Sequence, residues 1–118
     1  MKFIGISKVF STNNNQQYQT IGAFWNELSK KYGRDNLRGL GYNWVLGPSS
    51  IEYVIGLKDG MIEGANCTVE LPDTEWTTVT GRTDMLGMIY DEIYKDGNLK
   101  YEIEMFDDNG NCTIEYYR

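Results

Sequence analysis

The chain has 118 residues, of which 41% are hydrophobic and 14% aromatic, and these values predict one compact domain rather than a disordered segment. Its formal net charge of −6, which no local run of Lys and Arg offsets, disfavours direct binding to nucleic acid. The chain has no histidine, and Cys67 and Cys112 lack CxxC spacing, so we expect no metal site, no cofactor and no histidine-dependent nucleophile.

The first half of the chain is predicted to form a strand, a helix and a hairpin. Residues 3–10 are rich in β-forming side chains and predict the first strand. The following helix is predicted by apolar residues at three-and-four spacing, with Thr20 as its cap and Gly33 as its end. These apolar residues are Ile21, Phe24, Trp25, Leu28 and Tyr32. Residues 40–46 alternate as a strand, and residues 51–57 form its hairpin partner.

The second half shows the same order of elements. Residues 58–66 are predicted to connect the two halves, and residues 67–71 and 75–80 are predicted to form strands. A second helical stripe follows, made of Leu86, Ile89, Tyr90 and Ile93. Residues 99–106 and 112–117 then predict a hairpin, because an Asn-Gly pair lies in the turn between them.

Short matches between the halves indicate a repeat. The matched segments are residues 24–28 with 89–93, and residues 51–53 with 114–116. They predict two duplicated strand-helix-hairpin units, over about residues 1–58 and 67–118, neither large enough to bury its own apolar face. The elements together predict an α+β fold, with an antiparallel sheet of about eight strands and two helices. The seam between the two units is a natural place for a pocket.

The last predicted hairpin contains the most informative acidic residues. Alternation along the strand places Glu102, Glu104 and Phe106 on one sheet face, and Ile103 and Met105 on the other. If the first face looks into an aromatic pocket, a glutamate there would bind a proton or be balanced by a cation. Nearby rings would add cation–π attraction. The alternative is an ordinary solvated strand face with exposed glutamates.

Three motifs carry a resemblance to a known family. They are Phe24-Trp25-Asn26-Glu27-Leu28 on the first helix, Leu71-Pro72-Asp73-Thr74-Glu75-Trp76 entering a strand, and Ile103-Glu104-Met105-Phe106 near the end. With the duplicated layout, they make nearly the whole chain resemble the GyrI-like small-molecule-binding domain. This module is the effector-binding part of AraC-type and MerR-type multidrug-responsive transcription activators. The resemblance implies a single SOUL-like or GyrI-like domain over residues 1–118.

The resemblance also implies a pocket between the two halves that takes amphipathic, often cationic, aromatic compounds. Glu104 matches the acidic floor of the family pocket, and Ile103 and Phe106 stand at the flanking aromatic positions. A shift in register would give the acidic role to Glu102 instead. Trp76 keeps a ring where the family has tyrosine at a strand entry, and it is therefore a candidate pocket wall.

Internal symmetry adds further candidates for the pocket. The counterpart of Glu104 in the first hairpin falls near Tyr42, so we expect Tyr42 and Trp44 to face the same seam. Trp25 and Tyr90 are paired by the repeat and are candidates to close the pocket, although aromatic residues on a helix face more often belong to the core. The predicted ligand-binding residues are thus Glu104, Tyr42, Trp44, Trp76, Phe106, Trp25, Tyr90 and Glu102.

These features favour a stand-alone sensor or sequestering protein that binds amphipathic, cationic aromatic small molecules without transforming them. A first alternative is a hydrolase of electrophilic small molecules with a glutamate as general base, which requires a raised carboxylate pKa and a positioned water. A second is an acidic protein-interaction module such as a gyrase inhibitor. A homodimer, or a separate DNA-binding partner that reads the sensor, stays open.

The sequence also bears on localisation. No stretch approaches the roughly 20 apolar residues of a membrane-spanning helix, and Met1 leads directly into a strand pattern rather than a basic and apolar leader. We therefore expect a cytoplasmic protein that makes no contact with a membrane.

Overall fold

A computed structural model of the chain describes residues 1–42, 49–97 and 99–118. Within these ranges the fold is α+β, with a seven-stranded antiparallel sheet and two α-helices. The strands are β1 (Lys2–Ser11), β2 (Leu37–Tyr42), β3 (Ser50–Leu57), β4 (Cys67–Glu70), β5 (Thr77–Arg82), β6 (Tyr101–Phe106) and β7 (Asn111–Tyr117). The helices are α1 (Gln17–Tyr32) and α2 (Leu86–Tyr94). The α+β prediction is confirmed, whereas the expectation of about eight strands is not.

The sheet brings one strand from each half of the chain together at its centre. The strand order is β4-β1-β3-β2-β6-β7-β5, so β2 of the first half pairs with β6 of the second. In this pair Gly39 lies opposite Glu104, and Gly41 lies opposite Glu102. Because residues opposite each other point to the same face, these glycines and glutamates share one side of the sheet.

Helix α1 buries the aromatic stripe that its spacing predicted. Phe24, Trp25 and Leu28 are its buried residues, and they face the sheet. The helix begins at Gln17, one turn before the predicted cap, and the Thr20 hydroxyl instead donates to the carbonyl of Gln16 at 3.2 Å. It ends as predicted at Gly33, whose φ of 86° favours glycine.

Helix α2 is shorter and covers the other half of the same sheet face. It buries Tyr90 and Ile93, which pack with Leu99 and with Ile114 of β7. Among the described residues, no helix is long and apolar enough to cross a membrane.

The sheet is covered on both faces, and this decides which side chains can meet. The helix-facing side packs Trp25, Tyr53 and Phe106 into one core. The opposite side carries a second core, where Leu71 and Trp76 from the β4–β5 segment cover residues of the central strands. The members of this second core on the central strands are Leu40, Tyr42, Val54 and Ile103. Residues of the two cores are separated by the sheet itself.

Candidate ligand-binding site

A cavity of about 260 Å³ lies between the two helices and the helix-facing side of the central strands. Both halves of the chain contribute to it, through α1 and β3 from the first half and α2 and β6 from the second. The residues that define its chemistry are Trp25, Tyr53, Tyr90, Glu102, Glu104 and Phe106. The cavity therefore combines aromatic walls with two carboxyl groups.

The two carboxyl groups reach the cavity because of the alternation along β6 and the glycines opposite them. Glu102, Glu104 and Phe106 lie on the same face of β6 and are all buried. A Cβ at Gly39 would overlap the hydroxyl of Tyr53, and a Cβ at Gly41 would lie 3.1 Å from Oε1 of Glu102. The glycines of β2 thus leave the room in which the acidic side chains and their partners pack.

Glu104 accepts more hydrogen bonds than the other acid of the site. It is 7% exposed. The Tyr53 hydroxyl donates to its Oε1 and the Tyr90 hydroxyl to its Oε2, both at 2.5 Å. The Tyr53 oxygen in turn accepts a hydrogen bond from Nε1 of Trp25 at 2.8 Å. Burial raises the pKa of Glu104, and the two phenol hydrogen bonds oppose that effect because they stabilise the ionised form.

Glu102 lies in a less favourable position for a charge. It is 5% exposed, and the Tyr94 hydroxyl donates to its Oε2 at 3.2 Å. Burial, followed by the charge of Glu104, raises the pKa of Glu102 well above its usual range, and the bond from Tyr94 opposes this. The charge on Glu104 thus disfavours ionisation of Glu102, and the two phenol hydrogen bonds make Glu104 the acid better suited to carry a charge.

The tyrosines of the site act as hydrogen-bond donors. Burial first, and then the charge of Glu104, raise the pKa values of Tyr53 and Tyr90 well above the usual value for a phenol. Burial and the charge of Glu102 raise the pKa of Tyr94 in the same direction. These hydroxyls therefore stay protonated at neutral pH, and they hold the carboxyl groups rather than serve as bases.

Neither buried acid forms a salt bridge with a described residue. Arg34 is the sole cation among the described residues that line the cavity. It is engaged elsewhere, since its Nη2 donates to Asn26 at 2.9 Å and its guanidinium lies 5.6 Å from the centre of the Phe106 ring. The buried Oε1 of Gln17, also at the cavity, has no hydrogen-bond partner within the described part of the chain.

Five of the predicted ligand-binding residues lie at this cavity. They are Glu102, Glu104, Phe106, Trp25 and Tyr90. The rings of Trp25 and Phe106 contact each other edge to face, with centroids 5.0 Å apart. Because both acids line the cavity, the alternative of a solvated glutamate face does not apply here.

The structure separates Tyr42 and Trp76 from the acids, so the prediction that they wall the same pocket is wrong. Tyr42 pairs with Tyr101 and not with an acid of β6, and it therefore points to the opposite face of the sheet. There its hydroxyl donates to Glu52 at 2.7 Å. Trp76 lies on the same opposite face, 6.3 Å from the ring of Tyr101. Trp44 lies outside the described residues.

Sequence reasoning missed Tyr53, Tyr94 and Arg34. Tyr94 follows Tyr90 by one helical turn, and this spacing indicates a shared helix face. Alternation along β3 puts Tyr53 on the same sheet face as Ile51, and both residues line the cavity. No local pattern points to Arg34, which reaches the cavity from a short 3-10 turn after α1.

Fold and site together define an α+β domain with a partly open acidic and aromatic cavity. Comparison of the chain with protein-family models, with curated proteins and with solved structures finds no match. The resemblance to GyrI-like domains therefore stays a prediction.

Proposed function

We propose that the chain binds small amphipathic aromatic cations in the cavity between its two halves, as a sensor or sequestering protein. The observation that carries this proposal is the environment of Glu104. Its carboxyl group is buried among rings, accepts two phenol hydrogen bonds and has no cationic partner among the described residues. A ligand with positive charge supplies the missing partner.

The energetics favour a cation over a neutral ligand. A buried carboxylate without a counter-charge is unfavourable, because it has lost its hydration and only hydroxyl dipoles stabilise its charge. A cation placed against Glu104 would interact with it in a medium of low effective dielectric constant. The rings of Trp25 and Phe106 would add cation–π attraction of about 0.5–2 kcal/mol for each well-placed ring.

The size of the cavity limits the ligand. Typical small-molecule pockets enclose about 300–1,000 Å³, and the cavity here measures about 260 Å³. A compact compound with one or two rings is therefore the expected ligand.

The topology supports the interpretation of the chain as two duplicated units. The first half runs strand, helix, strand, strand with the spatial order β1-β3-β2, and the second half runs the same way with the order β5-β7-β6. Strand β4 is additional and lies at one edge. This repeated order supports a GyrI-like effector-binding domain. We propose that it works in the cytoplasm, with any transcriptional output carried by a separate DNA-binding partner.

Binding is favoured over hydrolysis by the same hydrogen bonds. A general base must take a proton from water, and the two phenol hydrogen bonds to Glu104 lower its basicity because they stabilise its ionised form. The tyrosines remain protonated, as their raised pKa values indicate. The arrangement is suited to holding a charge in place.

The test is a calorimetric titration with two ligands of the same shape, phenyltrimethylammonium and its neutral isostere tert-butylbenzene. We expect a dissociation constant on the order of 100 μM for the cation, given the binding energy typical of so small a ligand. The neutral compound should bind at least about tenfold more weakly, because it leaves Glu104 without a counter-charge. Equal affinities would contradict the proposal.

A further inference from the structure

Two carboxyl–phenol pairs lie side by side at the cavity. Tyr90 donates to Glu104 at 2.5 Å, and Tyr94 donates to Glu102 at 3.2 Å. The two tyrosines are one helical turn apart, with ring centroids 5.8 Å from each other. The two glutamates are two residues apart on one strand face, a separation of about 7 Å between their Cα atoms. The spacing of the helix thus matches the spacing of the strand.

Glu102 has no role in binding a singly charged ligand. Glu104 alone would balance one positive charge, and a second carboxyl group buried beside it raises the cost of ionising either. Glu102 lines the same cavity and is buried as deeply as Glu104. The unpartnered Oε1 of Gln17 adds another acceptor to the same space. The cavity therefore offers more acceptors than one cationic group can use.

We propose that the ligand is a compact aromatic dication, with one ammonium group for Glu104 and a second for Glu102. This inference rests on the proposed function and specifies its ligand class. In the free protein Glu102 keeps its proton. When the second ammonium group arrives, the O–H bond of Glu102 breaks, the proton passes to solvent, and the resulting carboxylate pairs with the ammonium group.

The other titratable groups around Glu102 and Glu104 do not compete with Glu102 for this proton. They are Tyr53 from β3, Tyr90 and Tyr94 from α2, Tyr18 from α1, Arg34 from the turn after α1 and Cys112 from β7. Burial raises the pKa values of Tyr53, Tyr90 and Tyr94, which therefore stay protonated. Burial likewise raises the pKa of the Cys112 thiol.

The experiment compares 1,4-bis(aminomethyl)benzene with 4-methylbenzylamine, which has the same ring and only one ammonium group. We expect the diamine to bind the wild-type protein at least about tenfold more tightly, because a second desolvated ion pair forms. In Glu102→Gln this preference should fall to about twofold or less. In Glu92→Gln, which changes an exposed carboxylate on α2, the preference should persist.

Proton release gives a second measurement that needs no variant. Calorimetry at about pH 6, in buffers that differ in ionisation enthalpy, should show about one more proton released by the diamine than by the monoamine. A monoamine that binds while the diamine gains neither affinity nor released protons would overturn this inference and leave the proposed function intact. A preference that survives Glu102→Gln would also overturn it. If neither amine binds, both proposals fail.

Discussion

Replacement of Glu104 by glutamine is expected to weaken the binding of phenyltrimethylammonium by more than about tenfold. Glutamine keeps the size of the side chain and its carbonyl acceptor, but it removes the negative charge from a position that is 7% exposed. In so buried a site, water and salt screen the lost attraction only weakly. The cation would then enter a cavity of rings and dipoles without a counter-charge.

The matched control for this variant is Glu92→Gln. Glu92 lies on α2, its side chain is 78% exposed, and its oxygen is 4.0 Å from Nζ of Lys95. The substitution removes the same formal charge from the protein, so it corrects for any long-range effect of net charge on binding. Its affinity should stay within about twofold of the wild-type value. If both variants bind as the wild type does, the role assigned to Glu104 is refuted.

Replacement of Gly39 by alanine is expected to destabilise the folded protein by about 1–3 kcal/mol, the usual range for overpacking a core. A Cβ at this position would overlap the hydroxyl of Tyr53 and contact the ring of Trp25. Both side chains are buried and joined by a hydrogen bond of 2.8 Å, so neither can move without losing it. The change would also disturb the donor to Glu104 and weaken cation binding.

Chemical denaturation monitored by tryptophan fluorescence measures this destabilisation, with Gly87→Ala as its control. Gly87 lies in α2, and a Cβ there meets no atom within 4 Å. Alanine at this position should stabilise the protein by up to about 1 kcal/mol, because glycine is a poor helix former. Equal stability of the Gly39 and Gly87 variants would show that β2 does not need glycine to make room for the acid network.

The elements of the fold were predictable where local spacing determines them. The stripe of Phe24, Trp25 and Leu28 predicted α1, and Gly33 predicted its end. The start was misplaced because Thr20 has the chemistry of a cap, yet its hydroxyl bonds within the helix. The seven strand segments predicted from local pattern correspond to β1 to β7, so the expectation of about eight strands exceeded the segments that carried it.

The acids of the site were predictable, but their surroundings were only partly so. Alternation along one strand placed Glu102 and Glu104 on the same face, and the structure agrees. The position of Tyr42 depends instead on the register between β2 and β6, where Gly41 and not Tyr42 lies opposite Glu102. A register error of one residue moves a side chain to the other face, and sequence alone does not determine this pairing.

The central claim is that Glu104 is a buried acid whose charged form is stabilised by a bound cation. Carboxyl-carbon NMR, followed as a function of pH, measures the pKa of Glu104 in the free protein and in the presence of saturating phenyltrimethylammonium. Burial raises this pKa in the free protein, and a cation against the carboxylate must lower it. We predict a fall of at least about one unit, which corresponds to a tenfold preference of the cation for the ionised form. An unchanged Glu104 pKa under saturating ligand would contradict the claim.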